Sequence, residues 1–342
     1  MSFTRFNSQD IVNQTSKVVT NAWSNNTNDL ATVLTSSTQA ATSTPTSSGA
    51  HFIDVHLDTN LNNVQYSVAY GHKAGSGSLD FTNAVGSNGK SASRNVYSQY
   101  RQLVFGTETQ NFNFTDFTPD DIYVININRS RYKHNLKPGS LNLTLVSGSG
   151  TGLGGKTIKL TDDSITTTGS AVITNAGRQF NIVSGSSGVR RGANTVQVTN
   201  SGSYGFFYPD SGFIILNPAA LDHTLTNLVP TITANTNGKN HEKLLNAISG
   251  GASFIVDSEE KISSTFYFAR ARNFEFNYST NPSYTDNNGN VLVNSMIDNP
   301  TSYITTVGMY NDEGDLLAVA KLSQPITKDF TKEALIRVKL DY

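Results

Sequence analysis

Residues 150–157, GTGLGGKT, fit the pattern G-x-x-x-x-G-K-[ST] of a phosphate-binding loop. In a nucleotide site such a loop leaves a strand and opens a helix, whose first N–H groups point at the phosphates. LNLTLV supplies an upstream strand, but TIKLTDDSI follows Lys156 and alternates β-branched with polar residues, which predicts a second strand in place of the helix. No apolar strand ending in Asp stands out as a magnesium partner. A glycine-rich connection between strands is the favoured reading, and no cofactor is expected.

The other chemistry-bearing residue types form no constellation. The histidines are His51, His56, His72, His134, His223 and His241, and no two have the i, i+4 spacing of a helical zinc motif. His51 and His56 differ by an odd number, so on one strand they face opposite sides. Acidic residues cluster at Asp162-Asp163, at Asp257-Ser258-Glu259-Glu260 and at Asp286. DNNGN (286–290) lacks the spaced carboxylates and closing Glu of a calcium loop and predicts a tight turn between strands. No cysteine is present, so thiol nucleophiles, thiolate metal sites and disulfides are excluded, which fits assembly in a reducing cytoplasm. No G-x-S-x-G elbow occurs. The carboxylate pair of a glycosidase leaves no mark in a sequence, because its separation is set in space. No catalytic or metal-binding residue is assigned.

Two features suggest contact rather than catalysis. TFYFARARNFEFNY (265–278) alternates Phe266, Phe268, Arg270, Arg272, Phe274 and Phe276 on one face of a strand. That face could grip a partner's carboxylates or aromatics. The plainer alternative, modestly favoured, is two partly exposed arginines lying over Phe rings. The lone tryptophan, Trp23, closes an N-terminal patch in which Ile11, Val18, Val19 and Ala22 fall at rough helical spacing. It serves either as a docking anchor or as packing for its own domain, with neither favoured.

The elements that must hold these residues are mostly strands. The chain has 342 residues, 37% of them hydrophobic and 15% charged, and Ser, Thr, Asn and Gly are plentiful, which favours strands and polar turns over a helical bundle. Strands are expected at 51–58, 64–72 and 121–132, the last apolar on both faces in its first half. Short strands follow at 139–149, 156–164, 170–175, 178–185 and 194–200, and a hairpin turns at Pro209-Asp210-Ser211-Gly212. Two short helices are expected. One spans 93–106, capped by Ser93, with Val96, Tyr97, Tyr100, Leu103 and Val104 on its face; the other spans 241–251, capped by Asn240. Near the end, ITTVGMY and DLLAVAKL flank the turn Asn311-Asp312-Glu313-Gly314, Pro325 ends the second strand, and ALIRVKLDY (334–342) is the last strand, tied down by sheet pairing. The expected fold is mainly β: β-sandwich or barrel-like modules with two short helices and a polar N-terminal arm. The division expected is an arm at 1–50, a composite β-rich core at 51–144 plus 200–342, and a small inserted β domain at 145–199.

Lys and Arg total 25 against 26 Asp and Glu, so no basic stripe invites nucleic acid. The N-terminus lacks a basic n-region with an apolar run, and no window approaches the length of a membrane span.

Four blocks carry a resemblance: FYFARARNFEFNYSTNPSY (266–284), SYITTVGMYNDEGDLLAVAKLSQPITKDFTKEALIRVKLDY (302–342), YGFFYPDSGFIILNP (204–218) and VYSQYRQLVFG (96–106). Together they resemble virion structural proteins of large contractile-tailed bacteriophages, those of cyanobacteria in particular. The resemblance implies a non-enzymatic tail subunit, in the baseplate or at a fibre attachment. Such a subunit acts by assembly with other virion tail proteins within a symmetric oligomer. It implies location in the virion after assembly in the host bacterial cytoplasm. A neck or collar component and a host-surface glycan-binding or glycan-cleaving tail protein stand as alternatives. The residues expected at the interface are Trp23, Arg270, Arg272, Phe274, Phe276, Met309 and Tyr310.

Overall fold

The computed structural model describes residues 3–35, 52–57, 63–78, 91–146, 157–166, 171–191, 204–222, 240–278, 282–288 and 290–342. The fold is mainly β, with 47% strand against 17% helix. The chain divides into two compact units, residues 18–260 and residues 1–17 with 261–342.

The larger unit is built on one curled antiparallel sheet. Its central strands are β3 (Phe52–His56), β4 (Val64–His72), β5 (Asp121–Ile127), β12 (Gly205–Tyr208) and β13 (Phe213–Leu216), paired in the order β12-β13-β5-β4-β3. Beyond β12 the ladder continues through β10 (Gly177–Ser186), β8 (Thr157–Asp162), β7 (Asn142–Val146) and β14 (Phe254–Ile255). Beyond β3 it ends at β2 (Leu34–Thr35). Short strands β9 (Val172–Thr174) and β11 (Val189–Arg190) fold back on β10. The expected insert at 145–199 therefore has no sheet of its own over its described strands, because β8 and β10 hydrogen-bond directly into the common ladder.

The sheet is buried on both faces at its centre, as the apolar first half of β5 requires. Tyr123, Ile125 and Ile127 point into one core, where helix α3 (Asn240–Gly251) lays down Leu244, Leu245 and Ile248. Ile122 and Val124 point into a second core with Val96, Tyr97 and Val104 of helix α1 (Ala92–Phe105). Gly71 of β4 allows that second contact, since a Cβ there would come within 2.8 Å of the Tyr97 backbone nitrogen. Ser91, not Ser93, stands at the N-terminal boundary of helix α1, but its hydroxyl caps no helix N–H and donates to the Gly75 carbonyl; Ser93 lies in the first turn, and its hydroxyl donates to the Ser76 carbonyl. Leu103, expected on the buried face, is exposed, while Val104 beside it is buried. Strand β5 stops at Ile127, short of the expected 132, because the Asn128 side chain accepts from the Ser130 N–H and starts a 3-10 turn. The turn at 209–212 closes as expected, with Gly212 at φ 74° donating to the Tyr208 carbonyl. A single helical turn, α2 (Pro218–Leu221), follows β13.

The N-terminal segment is integrated over its described part. Residues 11–21, read as part of a polar arm with apolar residues at rough helical spacing, form strand β1 (Ile11–Asn21) along β15 (Asp257–Ala271). A run rich in Val, Thr, Ile and Asn satisfies its backbone better by pairing than by helix, where β-branched side chains lose rotamer freedom. Trp23 is buried in the larger unit, its ring 4.9 Å from Phe254 and 5.9 Å from Tyr66, and its indole N–H donates 2.6 Å to the Phe254 carbonyl. The first residues of β15 also pair with β6 (Asn135–Leu136).

The smaller unit is a sandwich of the sheet β1-β15-β18, with β18 spanning Ala334–Asp341, and the hairpin of β16 (Ser302–Tyr310) and β17 (Leu316–Lys328). Met309, Ile304, Val307, Ala318, Ala320 and Ile326 of the hairpin meet Tyr267, Ala269, Ile336 and Val338 of the sheet, and Phe6 joins them. A one-turn helix, α4 (Ser295–Asp298), precedes the hairpin. Pro325 does not end β17; the strand runs on to Lys328. Thr306 pairs with Lys321 and Ile304 with Ile326, so residues 322–325 bulge opposite the single residue Thr305. The proline sits where the ladder asks for no N–H.

Trp23→Ala should destabilise the larger unit by about 3–5 kcal/mol, the usual cost of removing a buried Trp. Trp23→Phe should cost less, retaining most packing but losing the donor to Phe254. Chemical denaturation followed by far-ultraviolet circular dichroism checks both. In the parent protein the lone indole should emit at short wavelength and shift red in the same transition.

Candidate functional site

The expected interface residues come from four environments. Trp23 is core, as the packing alternative held, and does not present a docking surface. In the smaller unit, Arg270 is exposed on β15, on the same face as Phe266 and Phe268. Opposite them on β18 stand Lys339, Arg337 and Leu335, and the Arg337 guanidinium lies 5.3 Å from the Phe266 ring centre. This outer face is thus a mixed cationic and aromatic surface, with Leu335 58% exposed.

Arg272, Phe274 and Phe276 do not continue that face. Strand β15 ends at Ala271, and the chain turns at 272–278, where Phe276 takes φ 55°. The turn is fastened from inside. Lys328, fully buried, donates from Nζ to the carbonyls of Asn273 and Asp329 and to Asn277 Oδ1 at 3.0, 3.1 and 2.7 Å. Three neutral acceptors satisfy its three N–H bonds. The Ser302 hydroxyl donates to the Phe276 carbonyl. Phe274 is left exposed at the turn.

Met309 and Tyr310 separate by the period of two. Met309 is buried in the sandwich, and Tyr310 faces outward. Register places Tyr310 beside Leu316 and Gly308 beside Val319 on that outer face. A Cβ on Gly308 would come within 2.9 Å of the Tyr310 ring, so the ring lies over the glycine. Phe3 meets Tyr310 edge-on at 5.3 Å, and Arg5 pairs with Asp312 at 3.1 Å across the loop. The loop closes through Asn311, whose Oδ1 accepts from the Asp315 N–H, and Gly314 at φ 90° supplies the left-handed residue. Leu317 and Val319, not singled out in the sequence, are 69% and 57% exposed. Their signal was the alternation along 316–320, obscured by a register shift that inserts Leu317 between paired neighbours.

A separate group of titratable side chains lies in the larger unit, at the end of the β4–β5 pair. The Tyr70 hydroxyl donates 3.3 Å to Asp121 Oδ2, and the Tyr123 hydroxyl donates 3.2 Å to the Asn240 carbonyl at the start of α3. The Asn240 amide donates 2.9 Å to the Gly77 carbonyl. Burial raises the Asp121 carboxyl to about 6, with Asp120 and Asp222 adding to the rise and the Tyr70 hydrogen bond opposing it. Burial, together with the nearby Asp121 charge, holds both Tyr70 and Tyr123 far above the ordinary phenol range. Burial lowers Lys243, against the pull of Asp222. The group fastens the start of α3 to the sheet, and Asp121 is an acid that exchanges its proton near neutrality.

The remaining motifs resolve into structure. Thr157 begins a strand, as expected after the glycine-rich run; residues 150–156 lie outside the described residues, as do His51 and His223. His72 Nδ1 accepts from the backbone N–H of Ala74 and Ser76, a local turn, and burial lowers its pKa. His56 is buried, with neither ring nitrogen hydrogen-bonded. Asp162 and Asp163 are buried: the first accepts from the Gly139 N–H, the second from the Asn181 backbone and side chain. Asp286 accepts from the N–H groups of Asn288 and Asn290, closing a turn. Among the described residues no three His, Asp or Glu side chains converge as a metal site. No helix among the described residues is long and apolar enough to cross a membrane. No family model matches the sequence, and no curated protein or solved structure matches it significantly.

A carboxyl raised on folding favours the folded state while it is protonated, so its contribution is complete below pH 3.8 and is lost as pH rises through about 6. The stability difference between Asp121→Asn and the parent should grow in favour of the variant across that window, reaching at most about 3 kcal/mol at pH 7; denaturation at pH 4, 5, 6 and 7 checks the slope. Lys328→Met should destabilise the smaller unit by about 1–3 kcal/mol, because the acceptors of the 272–278 turn lose their donor inside the protein. Hydrogen exchange at residues 272–278 should rise with it.

Proposed function

We propose that the chain is a structural subunit of a contractile phage tail, in the baseplate or at a fibre attachment, and that it acts by assembly with other virion tail proteins. The observation that carries this reading is the outer surface of the smaller unit. On the hairpin, Tyr310, Leu316 and Val319 are neighbours by register and all exposed, and Tyr303 and Leu317 extend the apolar character of that element. Contiguous apolar residues left in water mark contact surfaces more often than chance. The second outer face, with Phe266, Phe268, Arg270 and Arg337, has the aromatic and arginine character of interface anchors. The near-balance of charge, 25 basic against 26 acidic residues, limits long-range repulsion between packed copies.

The resemblance of the four sequence blocks gives this surface its setting, and two of the blocks, 266–284 and 302–342, fall in the smaller unit. Scaffold and contact are then divided between the units. The doubly covered sheet is the rigid part, and the hairpin and the β15–β18 face are the parts that meet neighbours.

Cryo-electron microscopy of intact virions from the source tests the reading. The expected result is density for this chain in a symmetric ring of the tail, with the hairpin's outer face against another protein. Virions without density for the chain overturn it. Val319→Glu, on the exposed face, should leave the melting temperature within a degree or two and weaken incorporation at least about tenfold, the effect of one charge buried without a partner at an interface.

A further inference from the structure

Strand β1 is exposed along almost its whole length; its first ten residues are all exposed and only Asn21 is partly covered. One of its edges pairs with β15, and the sheet order places no strand on the other among the described residues. An edge strand with open backbone donors and acceptors is a template for another strand. Proteins usually blunt such an edge with proline, charge or a bulge. Here the strand IVNQTSKVVTN has no proline and a single charge, Lys17.

Its residue pattern reads nearly the same in both directions. Ile11 and Val12 stand at one end, Val18 and Val19 at the other, and Asn13, Gln14, Thr15, Ser16 and Lys17 lie between. If two copies are laid antiparallel with Thr15 opposite Thr15, Ile11 meets Val19 and Val12 meets Val18, each twice. Gln14 then meets Ser16, and Lys17 meets Asn13. By the period of two, Ile11 and Val19 share one face and Val12 and Val18 the other, so every apolar residue finds an apolar partner on its own face. Parallel pairing in register would set Lys17 against Lys17, a destabilising like-charge pair. In the antiparallel arrangement the two lysines are offset by four residues, about 13 Å along the strand.

We propose that β1 is a self-pairing edge: two copies of this chain join antiparallel about Thr15 across a two-fold axis, making one continuous sheet in the order β18-β15-β1-β1-β15-β18. The arrangement is isologous, each copy offering the same surface, as two-fold contacts require. It uses the apolar residues of β1 that the folded chain leaves in water, and it closes the exposed edge. It rests on the strand alone and holds whether or not the chain is a tail protein.

The absence of cysteine makes the register directly readable. Thr15→Cys, Asn13→Cys and Lys17→Cys are each treated, at about 50 μM protein, with a bis-maleimide short enough to bridge only directly opposed residues. Light scattering of the parent at the same concentration reads its mass. The expected result is a dimer in which Thr15→Cys cross-links alone. Asn13→Cys and Lys17→Cys should each fail alone and cross-link when mixed. Thr15→Lys should turn the dimer into a monomer whose far-ultraviolet circular dichroism matches the parent's and whose melting temperature equals that of the parent diluted until it is monomeric, since the side chain is exposed and only the paired state sets the two charges together. A parent that is monomeric and does not cross-link overturns the proposal. So does a dimer whose cross-links ignore this register, or one that Thr15→Lys leaves intact. Absence from virions combined with the expected cross-links would overturn the tail reading and leave this one standing.

Discussion

Double burial of β5 is the constraint on which the larger unit depends. A strand whose side chains are apolar on both faces must be covered twice, and its backbone must be satisfied by neighbours within the sheet. Strands β4 and β13 meet the second demand through continuous ladders on either side. Helices α1 and α3 meet the first, one on each face. The remaining details follow from fitting these layers. Gly71 lets α1 approach, Tyr123 and Asn240 tie the start of α3 to the sheet, and Trp23 fills the space beside Tyr66 and Phe254 while finding an acceptor for its N–H.

The smaller unit meets a different balance. Its core is made by two thin layers of strand, with Met309, Ile336 and Val338 at the centre and mostly half-buried residues around them. Two-layer sandwiches of this size have more outer face than inner, and here much of the outer face is apolar or aromatic. The Lys328 ammonium, held by carbonyl oxygens, shows what such a small core does where it runs out of apolar material: it closes a turn with hydrogen bonds instead.

Much of this was legible in the residues. The two faces of β5, the hairpins at 209–212 and 311–315 and both longer helices follow from period and turn chemistry, because each is decided by neighbours a few residues away. What failed depended on distant partners. Residues 11–22 carry Val at spacings compatible with a helix, and only the presence of β15 beside them makes the strand. Arg272, Phe274 and Phe276 extend the alternation of β15, yet the strand ends at Ala271, where Lys328, far along the chain, captures the turn. Ser91 and Ser93 are equivalent caps by type, yet both hydroxyls donate to carbonyls of the 75–76 loop and neither caps the helix. Of the interface candidates, Arg270 shares its strand face with Phe266 and Phe268 as alternation predicts, whereas Met309 and Tyr310, both expected at the interface, are separated only by the paired hairpin into a buried and an exposed residue. The exposure of Trp23 could not be read from sequence, since a large aromatic at the end of a polar run looks alike inside and out.

The excursion opposite Thr305 separates two ladders of the β16–β17 hairpin. Thr306 to Met309 pair with one offset and Ser302 to Ile304 with another, residues 322–325 absorb the difference, and Leu317 absorbs a smaller shift beside the loop. Each ladder therefore keeps its own inward set, Val307 and Met309 in the first and Ile304 in the second. Over evolutionary time, a residue gained or lost within 322–325 would change only the size of the excursion. The same event within a paired stretch of either strand would turn a row of side chains inside out. The hairpin thus carries a local tolerance for length beside an outer face whose own register is fixed.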